Sequence, residues 1–318
     1  MWFRNLKVFR LTAHWAAHSE EIAAALQSHV FAGSDDLSAT AQGWVPPRDT
    51  DDRLAVAVGD QYQLALRLEK KLLPATVINQ EVKARALVIE GEQGYRPGRK
   101  QLKDLKQTVT DELMPRAFHI ARDIAVWVDP VNRWLVIDAA SSGQAEEVLS
   151  ALGKSMYPYP VEPLQLAHSV AGLMTSWMIA GSAPDGFTLD PESQWQSTGD
   201  SAGVIRYVRH ELSSDAIARH VEAGYQCTRL ALTWQDRISF VLTDTADCKR
   251  VTPLDLLQER SNADAGLTPE EKLDSDFTLM TAELNQLLAA LLPALGEETS
   301  VQSHSTDSSS AKTAAEHV

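Results

Sequence analysis

The sequence predicts an α+β protein of antiparallel sheets built from hairpin-plus-helix units, with a helical hairpin projecting from one sheet and a C-terminal helical base. Three observations predict it. Residues 124–138 read as a β-hairpin, IAVWVD and WLVID around the turn PVNR, followed by a helix over 143–155. Residues 226–243 read as a second hairpin, CTRLALTW and RISFVLTD around Gln235-Asp236, preceded by a helix over 213–223. Strand, strand, helix order favours antiparallel α+β architecture over a doubly wound parallel sheet. Between residues 75 and 113, two helical patterns are separated only by glycines and one proline, as a projecting hairpin requires.

The other elements follow in chain order. Residues 2–11 mix aromatic, branched and charged side chains, as an opening strand with one wet face would. SEEIAAALQSH, 19–29, reads as a helix with Ser19 as N-cap and acids in its first turn. GWVPP, 43–47, reads as a fixed turn over Trp44, because consecutive prolines remove donors and restrict the residue before them. QYQLALRL, 61–68, alternates as a half-buried strand does, and EKKLLP leads into a helix over about 75–90. Gly91, Gly94, Pro97 and Gly98 break the chain before a helix over 99–113, which Pro115 ends, or which gives way to a short helix at RAFHIARD. Residues 156–203 are rich in proline, glycine and serine around a helix at 170–180, and 203–209 read as a strand. Helices are expected at 254–260 and 268–295. The second carries Leu273, Phe277, Met280, Leu284, Leu287, Leu288 and Leu291 at helical spacing, a stripe wide enough for its own domain and a second copy. The polar end from 297 onward reads as a disordered tail.

This divides the chain into a first α+β domain (1–74 with 123–160), a projecting tip (75–122), a second α+β domain (161–253), a helical base (254–296) and a tail (297–318). At 318 residues there is room for such a core, and the two cysteines, Cys227 and Cys248, form no metal or disulfide pattern, which suggests a reducing, cytoplasmic setting. MWFRNLKVFRL has charges among its apolar residues, unlike a signal peptide or anchor, and no membrane partner is expected.

The net charge of −14 is unevenly spread. Residues 1–66 sum to −3, 67–122 to +5, 123–254 to −7 and 255–318 to −9. The positive segment concentrates Arg96, Arg99, Lys100, Lys103 and Lys106 on a helix whose Leu102, Leu105, Val109 and Leu113 form an adjoining apolar stripe. A helix seated by one face can hold a row of cations against phosphates. Arg116, Arg206, Arg209, Lys249 and Arg250 are further candidates for a positive surface, and Phe118, just after Pro115, is either a core residue or an exposed contact.

Catalytic patterns are scarce. GEQGYRPGRK has three residues between Gly94 and Gly98 and Arg99-Lys100-Gln101 after them, so it is no Walker loop. His14 and His18 stand four apart without a third ligand, and no metal or other cofactor is expected. Asp129, Asp138, Asp236 and Asp244 border hairpins, where a metal-dependent nuclease or nucleotide hydrolase would gather carboxylates but where Asp is also an ordinary turn residue.

Set in order, MWFRNL (1–6), GWVPP (43–47), EKKLLP (69–74), LMPRAF (113–118), GVIR (203–206), WQDRI (234–238) and DSDFTLMTAEL (274–284) resemble the bacterial recombination-associated RdgC family. The resemblance implies a ring-shaped homodimer that encircles double-stranded DNA without sequence preference, associates with the nucleoid, restrains RecA in recombination and replication-fork repair, and has no enzymatic step. It implies DNA contacts from Arg96, Arg99, Lys100, Lys103, Lys106, Arg116 and Arg209. It also implies a dimer gate at Phe118 with Arg209 and His210, and a dimer base at Phe277, Met280, Leu284 and Leu287. A protein-interaction scaffold that grips an acidic partner is a competing expectation.

Overall fold

The computed structural model describes residues 2–12, 18–34, 38–157, 159, 161–199, 203–254 and 267–297. Twelve strands form one antiparallel sheet, its main path running β2-β4-β5-β6-β1-β12-β11-β10-β8-β9. The strands are β1 (Asn5–Leu11), β2 (Thr40–Val45), β3 (Val56–Val58), β4 (Gln61–Leu72), β5 (Phe118–Asp129), β6 (Trp134–Ile137), β7 (Val161–Pro163), β8 (Phe187–Ser197), β9 (Val204–Val208), β10 (Tyr225–Trp234), β11 (Ile238–Thr243) and β12 (Cys248–Pro253). The helices are α1 (Ser19–Leu26), α2 (Ala75–Gln93), α3 (Arg99–Leu113), α4 (Ser142–Ser155), α5 (Val170–Ala180), α6 (Ser214–Glu222) and α7 (Pro269–Ala294).

The two halves meet at β1, which pairs with β6 through residues 7–10 and with β12 through Asn5 and Leu6. A buried ion pair, Lys7 Nζ to Asp247 Oδ2 at 2.5 Å, spans the same seam. Because successive strand residues face opposite ways, β1 serves two cores. Leu11 joins Trp44, Leu64, Leu66, Ile124, Val126 and Ile137 beneath α1 and α4. Leu6 and Val8 point the other way, into a larger core with Trp127, Trp195, Leu230, Trp234, Phe240 and the inner side of α7.

Several expectations change. Ser19 is the first residue of α1; His18 is its N-cap, with its backbone N–H donating to Glu21 at 3.1 Å. GWV belongs to β2, and only the prolines lie outside it. Trp44 is fully buried as expected, while a Cβ on Gly43 would stand 2.4 Å from the Phe31 backbone, so the close bridge between Val30 and Trp44 requires glycine. EKKL extends β4, and FHIARD is the first half of β5 rather than a helix, since the two 12-residue strands pair from Tyr62 with Val128 to Leu72 with Phe118. β8 and β12 were not expected. Of the helix expected at 254–260, residues 255–260 lie outside the described residues, as do His14 and the tail from 298.

The sequence pattern places α7 correctly but misassigns its apolar side. Phe277, Met280, Leu284 and Leu287 are each 3% exposed or less and belong to the protomer's own core, so a second copy cannot touch them. The outward row is Thr278, Ala282, Gln286, Ala289 and Pro293.

The fold also includes Glu297, which the sequence assigns to the tail. Its side chain is 5% exposed and accepts two hydrogen bonds from Arg10, each 2.6 Å, while the Arg10 guanidinium lies 3.7 Å from the centre of the Trp134 ring. Removing residues 298–318 is therefore expected to leave thermal unfolding unchanged. Removing Glu297 as well should cost roughly 1.5–3 kcal/mol, the range for hydrogen bonds to charged groups. Equal melting temperatures for the two truncations would refute this.

Candidate nucleic-acid interface

Beyond β6, β4 and β5 continue with β2 still paired to β4 as far as Lys70, and α2 and α3 stand at the outer end of these strands. Pro74 caps α2, Gly94 ends it in a left-handed conformation (φ 79°), and Gly98 caps α3. The helices are clamped by Arg85, which pairs with Glu81 on its own helix at 2.8 Å and with Glu112 of α3 at 2.7 Å. Those bonds hold Glu112 below the ordinary glutamate range and raise Arg85 further above neutrality.

On α3, Val109 is buried and Leu105 and Leu113 are half-buried, so these three residues of the expected apolar stripe are seated, whereas Leu102 is exposed. At 100° per residue, Arg99, Lys103 and Lys106 fall within an arc of about 60° beside it, with Lys100 flanking them. All four are exposed, as is Arg96, whose guanidinium reaches Glu90 at 3.2 Å. Arg116 is exposed in the short turn after α3, and Phe118, 84% exposed, opens β5 opposite Leu72. Phe118 is thus no core residue.

Arg209 and His210 lie elsewhere. Arg209 follows β9 in a left-handed conformation (φ 53°), while the His210 backbone N–H donates to the Pro191 carbonyl at 2.8 Å and its ring stacks on Tyr207. β9 is seven strand steps from β5, on the order of 34 Å along the sheet, so one protomer does not unite Phe118 with Arg209. Arg206, Lys249 and Arg250 gather near Arg209 on one face of the second half, together with Arg229, which the sequence reading missed. Its signal, one charge between the buried Thr228 and Leu230 of β10, is that of any half-exposed strand.

The hairpin carboxylates are dispersed. Buried Asp129 accepts hydrogen bonds from Gln61, Asn132 and Asn285, and Asp138 accepts from the backbone of Arg4 and Asn5. Asp236 sits in the β10–β11 turn, where it and Gln235 both have positive φ. No group of three or more potential metal ligands occurs among the described residues, and no helix there is long and apolar enough to cross a membrane.

This is an α+β protein with an exposed cationic helix on a projecting hairpin, and its relatives fall in the class of recombination-associated proteins. It is 49% identical over 298 residues to the recombination-associated protein RdgC of Bordetella parapertussis, a match covering 94% of this chain and 99% of that one. The corresponding proteins of Janthinobacterium sp. (49%) and Cupriavidus pinatubonensis (50%) match over the same shares of both chains. The family model described as "RdgC: Putative exonuclease, RdgC" matches residues 1–298, and the chain belongs to the RdgC family.

Proposed function

We propose that the protein binds double-stranded DNA without sequence preference, closes around it as a homodimeric ring on the nucleoid in the cytoplasm, and thereby restrains RecA in recombination and replication-fork repair, with no catalytic step. The observation that supports this best is the exposed array on α3, whose apolar edge is seated so that its cations are held in a row. Such an array favours phosphates, which carry no sequence information. The family description favours a second reading, an exonuclease. Magnesium-dependent loss of intact DNA would establish that reading, whereas the described carboxylates are separately committed to turns and backbone.

In the ring, Phe118 supplies apolar area at a gate, and Arg209 and His210 meet it only from the other protomer. The base contact falls on the outward row of α7. A two-fold assembly requires such self-complementary surfaces. Phe118→Ser should leave melting temperature and dimer mass unchanged but speed dissociation from closed circular DNA several-fold, toward the rate from a linear duplex of equal length. Unchanged dissociation from both DNAs would remove the gate, and a monomeric variant would place Phe118 in the main interface.

A further inference from the structure

One imidazole clips α6 to the edge of the sheet. β9 is the edge strand, paired only with β8, and its residues alternate. Val204, Arg206 and Val208 are exposed, while Ile205 and Tyr207 pack against the second core. On α6, Ile217 is buried in that core, and His220, three residues on and so on the same side, is half-buried. The His220 ring centre stands 5.5 Å from that of Trp195 on β8, 5.6 Å from Tyr207 on β9 and 6.1 Å from Tyr225 on β10, three adjoining strands. Trp195 is fully buried and its indole N–H donates to the Ser193 hydroxyl at 3.0 Å, which fixes the inner end of this cluster. A Cβ on Gly203 would fall 2.7 Å from the Tyr225 hydroxyl, so the chain enters β9 pressed against that side chain.

Tyr207 carries this order outward. Its hydroxyl and His220 Nε2 share a hydrogen bond of 2.7 Å, and its ring stacks on the imidazole of His210 at 5.8 Å and 20°. Between Tyr207 and His210 the chain turns through Arg209, whose φ of 53° is one that a residue with a side chain keeps only when its surroundings hold it. Two contacts hold it here: the His210 backbone N–H on the Pro191 carbonyl at 2.8 Å, and the His210 stack on Tyr207. No ion pair restrains Arg209 or His210 among the described residues, so the turn itself sets the direction of both side chains. Tyr207, tied at its hydroxyl and at its ring face, is the one side chain that joins the turn to the buried cluster.

We propose that Tyr207, tethered by His220, is a positioning residue for the gate: it holds Arg209 and His210 in the one conformation that the other protomer's tip meets. The inference rests on the ring reading and adds a lever outside the contact, since His220 is half-buried among rings of its own protomer. A contact small enough to open is sensitive to such pre-organisation, because every side chain left free in the open state must be ordered again at closure.

The experiment times dissociation from closed circular DNA and from a linear duplex of equal length for the wild type, Tyr207→Phe, His220→Leu, His220→Gln and Phe118→Ser, with dimer mass and thermal unfolding recorded for each. Tyr207→Phe keeps the ring and removes only the tether. It should release the circle roughly 2- to 10-fold faster, the factor for one neutral hydrogen bond, with dimer mass and the rate from the linear duplex unchanged. His220→Leu should do the same. His220→Gln should keep the wild-type rate, because its amide offers both a donor and an acceptor near the place of Nε2. A Tyr207→Phe protein with the wild-type rate from the circle, while Phe118→Ser is fast, would overturn the positioning role and leave the gate standing. Faster release from both DNAs with a lowered melting temperature, or a His220→Gln protein as fast as His220→Leu, would reduce the cluster to a packing role and overturn it as well. Wild-type release by Phe118→Ser would remove the gate and this inference with it.

Discussion

Neutralising Lys100, Lys103 and Lys106 together is expected to weaken binding to every duplex alike. If the wild type neutralises about six phosphates, its log-log slope against salt is about −5, and losing three leaves about −2.7. With the two lines meeting near 1 M salt, affinity at 0.1 M falls by a factor on the order of 500. Folding should not change, because all three side chains are exposed and none anchors the hairpin. Titration of two unrelated duplexes at several salt concentrations checks both parts. A sequence-dependent loss, or an unchanged slope, would show that α3 does not meet the phosphates.

The second large effect is on stability. Leu284→Asp is expected to unfold the second core rather than to separate two folded copies. Leu284, on the inner side of α7, is fully buried in the core that the helix shares with the sheet. Losing its apolar burial costs about 1.5–3 kcal/mol, and an unpaired carboxylate there adds several more. Ala282→Asp on the outward row provides the contrast, since it costs only helix propensity, about 0.7 kcal/mol, and the fold should survive it. Sedimentation and thermal unfolding of both variants decide the matter. A folded, monomeric Leu284→Asp protein would restore that residue to the interface.

What could be read from the sequence depended on whether the signal was local. α3 is bounded by Gly98 and Pro115, and α5 and α7 have their own serine or threonine caps, so their limits follow from nearby chemistry. β8 was hidden because Pro191 argues against an interior strand. It is accommodated where the pairing shifts, with Leu230 opposite Ser193 but Leu232 opposite Leu189. β12 reads CKRVTP, too polar to stand out until Leu6 is known to lie opposite Cys248. The basic helix was legible because its charges are adjacent in sequence. Arg206, Arg229 and Arg250 become neighbours only through strand order. The apolar stripe of α7 shows that the helix is buried on one side, but periodicity does not distinguish its own sheet from a partner.

The double use of β1 has a consequence for the order in which the protein is made. The core under α1 and α4 draws on residues from Phe9 to Val161 alone, whereas the other needs Phe3, Leu6 and Val8 together with Leu291, Leu292 and Leu295. During synthesis at about 5–20 residues per second, the first can close while half the chain is still unmade. The second must wait for the last turn of α7, some tens of seconds in all. Until then β1 is a strand with one finished side, and its Leu6 and Val8 are held open for a helix that has yet to emerge. A nascent chain stalled before α7 therefore presents a sheet whose second core lacks its covering helix, which is the species that a chaperone or protease would meet.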